Sequence, residues 1–352
     1  MIEETRRAFL QRALARLGVL AAPWLGYAPR AEAHPPGPSD APALNTPKYL
    51  ELLDELQREH GFERNALAAL FGKARLRSEI GGLFEHAPER LPVEQYFHRL
   101  VTPDLTRGGV TYLRQRRGLF QTIEKRYGVD PAVITAIVGV ETRYGRRPDG
   151  GYRVFDALNT IFSEVGRREG FARRELIQFL LLCREEKWNP LDVKGSYAGA
   201  MGTPQFVPSS YRNYAVDHDG DGRRDLWRSD GDIAASVANF LIAHGWRSGE
   251  QIRLYVNVDP EQGRIRDLLD QGLEGRVRLK ELPDLGGGWS ADLRPSELDQ
   301  EVSLFAYAWK EGRRTVALLP NFHTLLRYNR SVNYALVVAD LAELYGGLAG
   351  SA

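Results

Sequence analysis

Between residues 48 and 244 apolar side chains recur at three- and four-residue intervals almost without a break, and beyond residue 249 the spacing switches to alternation. The first pattern starts at Tyr49-Leu50-Glu51-Leu52-Leu53 and predicts helices that include 48–60, 109–127, 131–144, 170–187 and 232–244, the last closed by Gly245. The second predicts strands over 251–258, 276–279, 302–309 and 315–319, a β-rich insert of about seventy residues. Helical spacing returns from 321 to 348. The expected class is α+β, mainly α. It comprises a helical region over 48–128, a second over 129–249, a small antiparallel β domain over 250–320, and a last segment, 321–352, that returns to the helical body.

Residues 1–33 read as a targeting segment. Thr5-Arg6-Arg7-Ala8-Phe9-Leu10 has the form of a twin-arginine export signal, residues 13–28 are moderately apolar, and Ala31-Glu32-Ala33 is a small-residue cleavage site. Arg16 and Pro23 interrupt the apolar stretch and leave no run of about twenty residues to cross a bilayer. The expected product is a soluble periplasmic protein, exported folded, that starts at His34 with a flexible linker over 34–47. A basic amphipathic helix is the alternative reading of the first segment.

One acid stands out in the helical pattern. Glu141 is the only carboxyl in Pro131-Ala-Val-Ile-Thr-Ala-Ile-Val-Gly-Val-Glu-Thr-Arg-Tyr-Gly145, a run apolar nearly all round. Asp130 suits the N-cap, Pro131 the first helical position and Gly145 the residue past the last turn. Desolvation holds a buried carboxyl toward its protonated form, and the negative end of the helix dipole adds modestly to this. A general acid working near neutral pH needs that property. The competing reading is a structural carboxylate paired with Arg143, Arg146 or Arg147.

Composition narrows the field. Lys and Arg total 47 against 46 Asp and Glu, a net charge of +1 that gives no argument for nucleic acid or an anionic membrane surface. Cys183 is the only cysteine, which excludes an intrachain disulfide and a cysteine-rich metal site, and its apolar run suits a buried thiol. No serine sits in a Gly-x-Ser-x-Gly elbow, the histidines show no metal-ligand spacing, and no organic cofactor is expected.

Three further stretches carry candidate chemistry. The segment from Lys194 to Tyr211 is dense in glycine and polar residues, and Ser196, Gln205 and Tyr211 suit a backbone lying close to a hydroxyl-rich ligand; a tight packing junction is the alternative. Asp217-His-Asp-Gly-Asp-Gly-Arg-Arg-Asp places carboxylates at positions one, three, five and nine of a calcium loop, with glycine at six. Position twelve is Arg228, so Asp230 or, preferably, Asp232 would close a longer loop around a structural Ca2+. Near the end of the chain, Tyr328, Asn329 and Tyr334 are sugar-binding equipment or helix-packing residues.

Taken together these segments resemble the lytic murein transglycosylase B family of periplasmic enzymes that cut peptidoglycan. Val101-Thr-Pro to Gly109, Tyr127 to Gly145, Phe155-Asp-Ala-Leu-Asn-Thr160, Gly195 to Tyr211, Ala215 to Trp227, Ser236 to Asn239 with His244-Gly-Trp246, and Arg327 to Ser331 carry the likeness. The resemblance implies a lysozyme-like helical core over 129–249 and cleavage of the bond from N-acetylmuramic acid to N-acetylglucosamine, leaving a 1,6-anhydromuramoyl end. It puts the single catalytic acid on Glu141, substrate contacts on Ser196, Gln205, Tyr328, Asn329 and Tyr334, and calcium on Asp217, Asp219, Asp221, the Arg223 carbonyl and Asp232. Phe240 stands where many relatives have tyrosine. One carboxyl suffices if the substrate's own C6 hydroxyl is the nucleophile, whereas ordinary glycosidases need two. A hydrolytic muramidase of the same fold and a non-catalytic peptidoglycan-binding protein remain as alternatives.

Overall fold

The computed structural model describes residues 41–85, 91–147, 150–289, 293–310 and 312–350. The export signal expected over 1–33 and the first part of the 34–47 linker lie outside the described residues. Two compact units, each discontinuous in sequence, divide the chain. Of the described residues, 41–85 and 137–240 form the first, and 91–136 with 241–350 form the second.

The first unit is built around the helix Val154–Glu164, in which every residue from Val154 to Phe162 is buried. Tyr49 and Phe71, from the helices Pro47–Arg58 and Arg64–Phe71, meet Phe162 and Phe155 edge to face at 4.9 and 5.1 Å. That arrangement directs the positive ring edge at the negative face of its neighbour. Three polar side chains lie within this core and each is satisfied, as buried polar groups must be. Asn159 Oδ1 accepts from the Tyr49 hydroxyl (3.1 Å), Asp156 from the Arg75 backbone N–H (3.0 Å) and Thr160 Oγ1 from that of Arg77 (2.9 Å). The Phe155-Asp-Ala-Leu-Asn-Thr160 segment thus pins the irregular 72–78 stretch to the core. The long helix Glu169–Glu185 packs beside it, with Cys183 buried and its thiol pushed up to about 12 by that burial. A two-stranded antiparallel ribbon, β1 (Tyr152–Arg153) and β2 (Lys194–Gly195), closes one side.

In the second unit five antiparallel strands run in the order β4-β6-β7-β3-β5, from β3 (Arg253–Asn257), β4 (Val277–Arg278), β5 (Gly288–Trp289), β6 (Glu301–Trp309) and β7 (Gly312–Leu318). One face is covered by Ile265, Leu268 and Leu269 from the helix Gly263–Gln271, with Leu279 and Leu282. The helices Pro103–Gln115 and Val332–Gly350 also cross in this unit. Tyr345 occupies the space over Gly109, where a Cβ would come within 2.3 Å of its ring.

Several expected boundaries shift for local reasons. The helix expected over 109–127 is two, Pro103–Gln115 and Arg117–Tyr127, because Arg116 leaves helical geometry at φ −114°, ψ 18°. The helix expected to reach 144 ends at Thr142, since Arg143 and Tyr144 turn left-handed at φ 53° and 63°. Among the described residues no helix is long and apolar enough to cross a membrane.

His323, on the helix Pro320–Tyr328, hydrogen-bonds the Ser303 hydroxyl at 3.1 Å. Burial, helped by Arg276, depresses its pKa to about 4. A depressed folded-state value means the contribution of this neutral ring is present above the unfolded value of about 6.5 and lost as pH falls through 4. The melting temperature should therefore decline between these limits, and His323→Gln should decline less steeply there in thermal melts.

Candidate active site

The helix Pro131–Thr142 begins with a satisfied cap, the Asp130 carboxylate accepting from the Ala132 N–H at 2.7 Å. Every residue from Ala132 to Thr142 is buried. Glu141 is 2 % exposed and both its carboxyl oxygens are shielded from solvent. The helix then stops abruptly. Arg143, Tyr144 and Gly145 are successive left-handed residues, a costly conformation for the first two, and strain of this kind gathers at functional sites. Tyr144 folds back over Gly139, where a Cβ would lie 2.7 Å from the ring.

What holds this end in place is a neighbour in the same unit. The Thr142 hydroxyl donates to the Thr203 carbonyl at 2.9 Å and accepts from the Gly145 N–H at 3.1 Å. Thr203 lies in a tight turn in which Met201 and Phe206 exchange backbone hydrogen bonds (2.9 and 3.0 Å). Gln205 closes the turn at φ 53°, its amide nitrogen donating to the Gly202 carbonyl at 2.9 Å. Ser196 opens the segment, and its hydroxyl accepts from the N–H groups of Ala198 and Ala200 (3.2 and 3.3 Å). Glu141, Ser196 and Gln205 thus lie in one unit, at 2, 8 and 9 % exposure.

The turn is in turn tied to the acidic loop, Thr203 N–H donating to the Leu226 carbonyl at 2.7 Å. Asp217, Asp219 and Asp221 each bring a carboxylate oxygen within 4.8 Å of the others. Asp217 also accepts from the N–H groups of Gly220 and Gly222 (2.7 and 2.8 Å), which curls the loop around its own acids. Asp232 does not join that cluster. Its two oxygens accept from the His218 and Asp225 N–H groups at 2.8 and 2.7 Å, and burial raises its pKa against their pull. Tyr211 is fully buried, its ring against Trp188 and Trp227 and its hydroxyl bonded to the Arg224 carbonyl, so it braces the loop from beneath. Phe240 packs on Phe206 and Tyr214.

Tyr328, Asn329 and Tyr334 belong to the other unit. The two rings stack at 6.4 Å and 8° interplanar angle, Tyr334 wholly buried and Tyr328 partly exposed. Asn329 Oδ1 accepts from the Ser331 N–H at 3.0 Å at the break between two helices. Thr142 and Thr203 have no local signature in the sequence, because their pairing spans 61 positions.

A family model described as the transglycosylase SLT domain matches residues 45–343. The membrane-bound lytic murein transglycosylase B of Escherichia coli (strain K12) is 34% identical over 309 residues, 85% of this chain and 82% of that protein. Among solved structures, the Escherichia coli lytic transglycosylase Slt35 in complex with calcium superposes with a TM-score of 0.78 at 33% identity, covering 89% of this chain and 97% of that one. SltB3 from Pseudomonas aeruginosa in complex with NAG-anhNAM-pentapeptide does so at 0.73 and 30% identity, covering 85% and 79%. The class is that of peptidoglycan-cleaving enzymes with a lysozyme-like helical fold and a small antiparallel sheet. Within it, the chain belongs to the transglycosylase SLT family and acts as a lytic transglycosylase.

Proposed function

We propose that Glu141 is the single acid and base of this enzyme and that the bond cut is the β-1,4 link from N-acetylmuramic acid to N-acetylglucosamine. The observation that carries the reading is a carboxyl 2 % exposed at the last turn of an apolar helix, held next to the turn that bears Gln205. Burial disfavours the ionised form, so Glu141 can deliver a proton to the glycosidic oxygen as the bond to C1 breaks. The resulting carboxylate then takes the proton of the muramic C6 hydroxyl as that oxygen attacks C1. Atoms balance without water, and the product carries a 1,6-anhydro ring. A relative solved with an anhydromuramoyl ligand supports this outcome. Ser196 and Gln205 are proposed to contact the glycan, and Tyr328 and Asn329 are proposed contacts as well; Tyr334, wholly buried and stacked on Tyr328, is a packing residue instead. Mass spectrometry of digested sacculi should show anhydromuramoyl ends; reducing muramic ends would assign a hydrolytic muramidase instead.

A structural calcium ion is part of the same proposal. Asp217, Asp219 and Asp221 supply three oxygens in a loop already curled by glycine, hard ligands of the kind Ca2+ prefers, and the Arg223 carbonyl is proposed to add a fourth, while Asp232 outside the cluster braces the loop through the His218 and Asp225 N–H groups. A relative crystallised with calcium supports it. An ion bound only by the folded chain must stabilise it, by about 2.7 kcal/mol at a hundredfold excess over Kd. Calcium should raise the melting temperature by about 5 °C or more, EDTA should reverse this, and Asp217→Ala should be indifferent to both. An unchanged melt of the wild-type chain would remove the metal. The Arg6-Arg7 pair and the Ala31-Glu32-Ala33 site support export of the folded chain to the periplasm.

A further inference from the structure

Beside the β1–β2 ribbon, wholly within the first unit, lies a cavity of about 120 Å³ walled by Arg75, Arg77, Tyr152, Arg153, Asp156 and Lys194. Four cations and one acid make this wall. The acid is already engaged, its charge matched by Arg153. Asp156 spends Oδ2 on Arg153 Nε at 2.6 Å and Oδ1 on the Arg75 backbone N–H at 3.0 Å. Arg77 is matched by Glu79, at 2.8 Å, and lies over the Tyr152 ring. Among the described residues, the side chains of Arg75 and Lys194 have no acidic partner. Two cations without an acidic partner among the described residues repel each other in one small concavity, and an oxyanion placed between them relieves that repulsion.

The cavity adjoins the substrate-lining segment. Tyr152 pairs with Gly195 and Arg153 with Lys194, so Lys194 stands two residues before Ser196. Gly151 also lines the cavity, and its neighbour Gly150 lies so close to Ser196 that a Cβ there would come within 2.4 Å of the Ser196 Cα. A space of this size, at about 30 Å³ per water, holds a carboxylate and a water or two, and is well below the roughly 300–1,000 Å³ of pockets for whole small molecules. The glycan of peptidoglycan is built of neutral N-acetylated sugars whose lactyl carboxyl is consumed in an amide. Its negative charges are the carboxylates of the peptide stems.

We propose that this cavity binds a carboxylate of the peptide stem carried by the glycan, with Arg75 and Lys194 as the charge-bearing contacts and the Tyr152 hydroxyl as a neutral donor. Burial holds Tyr152 above its ordinary range, so it remains a hydroxyl at working pH. The site makes the enzyme a reader of stems as well as of sugars, and it rests on the peptidoglycan reading given above.

The test is calorimetric binding, which does not depend on turnover. Two ligands are compared, a muramoyl disaccharide bearing its stem peptide and the same disaccharide without it, on the full chain and on Arg75→Gln, Lys194→Met and the double variant. Both side chains are exposed, so the fold should be unaffected, and melting temperatures check this. The double variant should bind the stem-bearing ligand about tenfold more weakly and the stem-free ligand unchanged. The wild-type preference for the stem should shrink at high salt, as screening of a partly exposed pair requires. Equal losses on both ligands, or no loss on either, overturn the proposal. A wild-type chain that binds neither ligand removes the peptidoglycan reading itself, and this site with it.

Discussion

Glu141→Gln is expected to lower kcat on purified sacculi by roughly a thousandfold or more while leaving the chain folded. General acid–base assistance contributes about 10²–10⁴ to a rate, and here one group is assigned both proton transfers, so nothing else in the proposed mechanism takes over its role. The amide keeps the size of the acid and can still hydrogen-bond, so packing around position 141, 2 % exposed in the wild type, is preserved. It also removes the cost of burying a group that must ionise during the cycle. The melting temperature should then stay level or rise, the usual trade between activity and stability at a catalytic position. Muropeptide release measured beside a thermal melt separates the two effects. Retention of more than a tenth of the wild-type rate would mean that Glu141 is structural and that the catalytic carboxyl lies elsewhere.

The second large effect should come from a glycine. Gly202→Ala places a methyl group 2.7 Å from the Leu226 carbonyl oxygen, on a residue already at φ 68°. The left-handed conformation costs about 1–2 kcal/mol for a residue with a Cβ, and forcing a methyl into packed backbone adds about 1–3 kcal/mol, so a loss of about 3 kcal/mol is expected. The contact that must give is the one that accepts the Thr203 N–H at 2.7 Å, and Thr203 in turn accepts the Thr142 hydroxyl. Displacing it shifts the helix end next to Glu141, and a misplacement of about 1 Å can cost about a hundredfold in rate. Gly61→Ala is the control, since Gly61 has a similar φ of 69° and open space around its would-be Cβ. It should lose only about 1–2 kcal/mol and keep its kcat. Denaturant melts and sacculus assays on the pair of variants give both readings.

The features legible in the sequence are those that local chemistry writes. Alternating aspartates with glycine at the sixth position form a curled loop whichever fold surrounds them, and Asp217, Asp219 and Asp221 do converge. A lone acid in an apolar helix is conspicuous because nothing else polar competes with it, and Glu141 is buried as the pattern of its neighbours requires. Contacts between distant segments leave no such trace. Thr142 reads as one more small helical residue until the structure sets it against Thr203. The stem-reading cavity joins residues 75–77 to 152–156 and 194, three stretches with no shared pattern. The membership of each unit was likewise not written locally, because it depends on which far segment covers each apolar face. Helix ends fall a residue or two from where apolar spacing puts them when the backbone turns left-handed at residues other than glycine, as at Arg143 and Tyr144.

The seat of Tyr345 over Gly109 has a bearing on how the chain is made. Its hydroxyl reaches the Leu105 carbonyl at 3.3 Å across a separation of 240 residues. At the usual pace of about 5–20 residues per second, the ribosome needs roughly 10–50 s to bring the second partner out after the first. Throughout that interval the Pro103–Gln115 helix has no cover from this neighbour, and its apolar side is open to chaperones or to other nascent chains. This half of the protein can therefore close only after synthesis has passed residue 345.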